Sequence, residues 1–164
     1  MRFFRSFRYT AILALALCAV FLCACATDGG SGKGAGEVLG DLMAQSGSLP
    51  VGVIYSKSAG EGTDGHFSPK LARTMYGERA EELLSLTEDF AIYVSSFGIP
   101  AEIAVFKCYS RSDAERIGAM CLSRAESVRV LLRSTEWRGL ADGASVRVDG
   151  RWVIAATVPQ TKRV

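Results

Sequence analysis

Few side chains in this 164-residue chain are of the kinds that commonly make or break bonds, and they are scattered. His66 is its one histidine. An imidazole acts as a general base only with a proton to abstract within hydrogen-bond reach. His66 instead closes a polar, glycine-rich stretch, Ser56–His66, which reads as a surface loop. Zinc would need several nitrogen or sulfur ligands, and the sequence holds no cluster of histidine and cysteine. Of the cysteines, Cys18, Cys23 and Cys25 belong to an apolar leader, which leaves Cys108 and Cys121 in the body. A nucleophilic thiol requires a base or a cation to lower its pKa. Lys107 and Arg111 are near Cys108 in sequence, although strand alternation turns Lys107 to the other face. Cys121 falls on the apolar stripe of a helix, where a thiol behaves as a small hydrophobe. A Cys108–Cys121 disulfide is an intermediate reading that depends on Cα atoms within about 7 Å.

The acids give no clearer chemistry. Glu78, Glu81, Glu82, Glu88 and Asp89 are grouped. Paired carboxylates hydrolyse glycosides when held at a fixed separation across a cleft. Here they alternate with arginine, alanine and leucine, the pattern of a solvated turn. Asp64-Gly65, after Glu61-Gly62-Thr63, lacks the spacing of a calcium loop. No phosphate loop, dinucleotide fingerprint or nucleophile elbow is present. The sequence therefore assigns no catalytic, cofactor-binding or metal-ligating residue, and the expectation is a non-enzymatic protein without a cofactor.

The informative cysteine is Cys25. Met1–Arg8 is short and basic, and Ala11–Ala24 is an apolar run of 14 residues. A membrane-spanning helix needs about 20 such residues, so the run suits a signal core. It ends in Leu22-Cys23-Ala24-Cys25, which resembles the bacterial lipobox. Residues 1–24 are expected to be a lipoprotein signal peptide and Cys25 the site of lipidation. One acyl chain binds a membrane marginally and two anchor it stably. Ala26–Gly36 holds five glycines and no large apolar residue, so residues 25–36 are expected to be a flexible, lipid-anchored linker. Eleven such residues reach roughly 18 Å. The chain carries a formal charge of +2, but residues 1–24 hold three arginines and no acid. The remainder has 16 basic and 17 acidic residues, a net of −1, which argues against nucleic acid as a partner.

The elements that would position these residues follow from periodicity. Residues 37–164 are expected to form a single globular α+β domain. Glu37–Gln45 predicts a helix with Val38, Leu39, Leu42 and Met43 on one face. Val51–Tyr55 suits a buried strand. Ser68 is an N-cap with Pro69 at the first helical position, Leu71, Met75 and Ala72 face inward, and Gly77 is a stop. Ala80–Leu86 is a further helical turn. Phe90–Val94 and Ala101–Tyr109 predict strands joined by the loop Phe97-Gly98-Ile99-Pro100. Ser110–Arg133 contains the clearest helix, with Ser112 as N-cap. Its apolar stripe is Ile117, Met120, Cys121, Val128, Leu131 and Leu132, and Arg116, Arg124, Arg129 and Arg133 lie mostly off it. Ala144–Val148 and Arg151–Val158 close the chain around Asp149-Gly150. Two registers are open there: Val148 opposite Arg151, or a bulged loop placing Val146 opposite Trp152. Short turns between strands imply a two-layer fold, a mostly antiparallel sheet of about four to five strands with the long helix on one face.

Several of these segments together resemble a family of bacterial lipoproteins whose domain has no assigned function. They are Leu71–Gly77 (LARTMYG), Asp89–Ser95 (DFAIYVS), Ala101–Lys107 (AEIAVFK), a helix with an internal arginine, here Arg124, and Ala144–Val158 (ASVRVDGRWVIAATV). The resemblance covers about residues 50–158. It implies a lipid-anchored extracytoplasmic domain and no particular activity.

These readings place the protein outside the cytoplasm, lipid-anchored to the outer face of the cytoplasmic membrane. The membrane is its first expected partner. Its function is expected to be that of an interaction or scaffold domain of the cell envelope, engaging an envelope protein. The alternative is a small-ligand-binding lipoprotein, and a cell-envelope hydrolase using His66 or an acidic pair comes third. The shape of the surface discriminates them: a shallow apolar patch, a deep polar pocket, or converging titratable groups.

Overall fold

The structure is a computed structural model and describes residues 32–158. The expected signal peptide, Cys25 and the linker as far as residue 31 lie outside that range, as do residues 159–164. In chain order the elements are α1 (Ala35–Gln45), β1 (Gly52–Ser56), α2 (Pro69–Tyr76), α3 (Ala80–Leu84), β2 (Thr87–Ser95), β3 (Glu102–Cys108), α4 (Arg111–Leu132), α5 (Arg138–Asp142), β4 (Ser145–Asp149) and β5 (Trp152–Thr157). The strands form one open sheet in the order β1-β2-β3-β5-β4, antiparallel at every step. The expected α+β class, with an antiparallel sheet and a long helix on one face, is the architecture the chain adopts.

Alternation along the strands divides the apolar residues between two cores. Phe90, Ile92, Ala104, Phe106, Cys108 and Val153 point to the face covered by α2, α3 and α4. There they meet Ala72, Met75, Tyr76, Ile117, Met120 and Cys121. Phe67, Tyr76, Phe90 and Phe106 contact one another edge-on or tilted, with ring centroids 5.8–6.3 Å apart, the arrangement aromatic quadrupoles favour. The opposite face carries Ala91, Tyr93, Ile103 and Val105, and α1 covers it with Ala35 and Leu39. The sheet is thus covered on both faces over β2 and β3, which explains their near-continuous apolar sequence.

The helix starts are local. Ser68 Oγ accepts from Leu71 N–H at 3.3 Å, Pro69 opens α2, and Gly77 ends it at φ 90°. The long helix begins two residues before the expected Ser112 cap: Ser110 is the cap, its Oγ accepting from Asp113 N–H at 3.1 Å. Helix α1 likewise starts at Ala35, two residues before the expected Glu37. Gly34 N–H donates to Glu37 Oε2 at 3.0 Å, and Ala35 N–H donates to Asp89 Oδ2 on β2 at 2.7 Å. A carboxylate at a helix N-terminus is favoured by the aligned peptide dipoles.

Two further expectations are corrected. Val51–Tyr55 does not form a buried strand; β1 is an edge strand with Val53 and Ile54 exposed. The last hairpin adopts neither open register, but pairs Asp149 with Trp152 and Val148 with Val153. Its loop is Gly150-Arg151, with Gly150 at φ 56° and no positive φ at Arg151, as a turn with glycine first requires. This register puts Val146, Val148, Val153 and Ala155 beneath α4. Gly118 of α4 lies so close that a Cβ there would stand 2.6 Å from Val148 Cγ2.

Close approach also fixes Gly52. A Cβ there would stand 2.4 Å from the Val94 carbonyl oxygen and 2.5 Å from the Tyr93 ring. Gly36, within α1, has nothing within 4 Å of such an atom. Gly52→Ala should therefore destabilise the fold by about 1–3 kcal/mol through overpacking. Gly36→Ala should stabilise it by about 0.4–1 kcal/mol by narrowing the unfolded ensemble. Urea unfolding midpoints should move in opposite directions, and equal shifts would contradict the packing described.

Candidate functional site

Glu102 is the first residue of β3, paired with Val94 on one side and Thr157 on the other. That register aims its side chain at the helical layer, where apolar neighbours leave it little water; it is only 12% exposed. Two residues offset the desolvation. Tyr76, the last residue of α2, donates its hydroxyl to Oε1 at 3.0 Å. Arg124, midway along α4, donates Nε and Nη2 to Oε2 at 3.1 and 3.0 Å. Burial first, and then the Glu102 carboxylate, hold the Tyr76 phenol well above its ordinary pKa, so it stays a donor. The cluster is electrically neutral and ties α2, α4 and β3 together. Among the described residues no buried polar side-chain atom lacks a partner. The Arg124 side chain keeps 23% of its surface exposed.

Glu102 and Arg124 lie in the wall of an open groove. At about 1.5 Å per helical residue the 22 residues of α4 extend about 33 Å, whereas the seven of β3 extend about 23 Å at about 3.3 Å each. The buried residues of α4 end at Cys121, so its last turns extend past the packed layer. Arg124, Val128 and Leu131 share one row there, at spacings of four and three. Facing them is the hairpin between β2 and β3. The resulting open cleft, about 260 Å³, is walled by Val94, Phe97, Pro100 and Val128 and floored by Glu102 and Arg124. Ser95, Ser96 and Thr157 add polar groups to its lining, and Phe97 is 81% exposed. Ser96 N–H donates to the Val51 carbonyl at 2.9 Å and brings β1's entry beside the hairpin tip.

The residues singled out from sequence do not converge on this groove. His66 Nδ1 lies 3.2 Å from the Ala59 carbonyl, within its own loop. Cys108 and Cys121 are both buried free thiols. Burial pushes Cys108 up to about 11 and Cys121 higher still. The acids are dispersed among cations: Glu81 pairs with Arg73, Glu82 with Arg79 and Arg116, and Glu88 with Lys107 and Arg151. Asp89 serves α1. Among the described residues, no three His, Cys, Asp or Glu side chains are placed to hold a metal ion. None of their helices is long and apolar enough to cross a membrane.

Sequence reasoning missed the cluster at the groove floor. Tyr76 ends a helix, Glu102 begins an apolar strand, and Arg124 was grouped with the arginines lying off the stripe. The available signal was a single acid at the head of AEIAVFK, which a buried strand cannot hold without partners. Helix α5 was also missed. Its five residues include buried Leu140 and Ala141, which close the end of the domain beside α4. Comparison of the chain with protein-family models, curated proteins and solved structures finds no match, and no family is assigned.

Two outcomes follow from this geometry. Tyr76→Phe should cost about 1.5–3 kcal/mol, one hydrogen bond to a charged carboxylate. Glu102→Leu should cost about 3–5 kcal/mol because it strands the Arg124 charge. Adding Arg124→Leu to Glu102→Leu should recover much of that loss in chemical denaturation; no recovery would show that the pair is not coupled.

The thiols set a pH dependence. Above pH of about 9 the unfolded chain ionises its cysteines, while folded Cys108 stays neutral to about 11. The unfolded state then binds fewer protons, so stability falls as pH rises through that window. Denaturation midpoints from pH 8 to about 11 should show a steeper fall for the wild type than for Cys108→Ala. Parallel profiles would contradict the assignment.

Proposed function

We propose that this chain is a bacterial lipoprotein, acylated at Cys25 and held at the outer face of the cytoplasmic membrane. Its folded unit is an interaction domain of the cell envelope that works without a catalytic residue or cofactor. The observation that carries the interaction reading is the open groove between α4 and the β2–β3 hairpin, lined in part by Val94, Pro100, Val128 and the exposed Phe97. Monomeric surfaces rarely gather large apolar side chains around a concavity without a partner.

The chain enters the fold at Ala35, tied to Asp89 at the start of β2, whereas the groove lies beyond the other end of that strand. The small-ligand alternative has less support, since pockets that enclose such molecules hold about 300–1,000 Å³ and this cleft is smaller and open. The hydrolase reading has less again, because His66 and the acidic residues lie apart from the groove.

Complementation tests the proposal in a strain where deletion gives an envelope phenotype. His66→Ala, Cys108→Ala and the pair Glu81→Gln with Glu82→Gln should each restore function. Val128→Arg should fail although the chain accumulates. Cys25→Ser should fail to incorporate labelled fatty acid and complement poorly, because release removes the local concentration an anchor supplies. Restoration by Val128→Arg together with failure of His66→Ala or the acidic pair would replace the interaction reading with an enzymatic one.

A further inference from the structure

We draw no further inference here: the strongest candidate, the apolar sheet edge along β1 with Val53 and Ile54 exposed, lies outside the groove already described, and nothing in the structure shows what covers it.

Discussion

Strand β3 is enclosed on every side. It has β2 on one edge and β5 on the other, α1 over one face and α4 over the opposite one. Ile103, Val105, Ala104, Phe106 and Cys108 are essentially without water. An enclosed strand tolerates a polar side chain only with partners. Lys107 meets this by reaching Glu88 at 2.8 Å and lying over the Trp152 ring. Glu88 is available because a bulge between Thr87 and Asp89 breaks the strand alternation. Glu102 meets it at the other end through Tyr76 and Arg124. The position of α4 along the sheet is therefore set by a hydrogen-bonded ion pair as well as by apolar packing, and the extension of its last turns beside the groove follows from that register.

What could be read from the sequence is what local geometry decides. The start and stop of α2 are written in Ser68, Pro69 and Gly77, whose effects act within one turn. The choice between Ser110 and Ser112 was not decidable in this way, since each is followed three residues later by an acid that favours a helix start. An apolar run such as Val51–Tyr55 says that a strand exists but not whether it sits at the centre or edge, because that depends on strands far away in sequence. The terminal hairpin failed for a narrower reason: Asp-Gly marks a turn, but which two residues form the loop depends on how Val148 and Val153 fit under Gly118.

The groove shows the limit more sharply. Its floor joins residues 102 and 124, with Tyr76 bonded behind them, from three elements, and none has a local companion marking it as special. Histidine, cysteine and clustered acids draw attention because their chemistry is familiar, yet here they serve caps, surface pairs and core volume. The side chains shaping the most distinctive surface are an arginine on a helix rich in arginines and a phenylalanine in a turn.

The strand order carries a consequence for the route to this structure. One neighbour of β3, β2, is joined to it by a short hairpin, while the other, β5, arrives only after α4, α5 and β4. Closing the β2–β3 ladder costs little chain entropy; closing β3 against β5 waits for a loop of more than forty residues. Until the last hairpin docks, β3 is itself an edge, with bare amides and carbonyls flanked by Phe106 and Val105. An apolar edge of that kind pairs readily with other chains. The final fifteen described residues thus act as a seal, and a chain that ends before Ala144 lacks it.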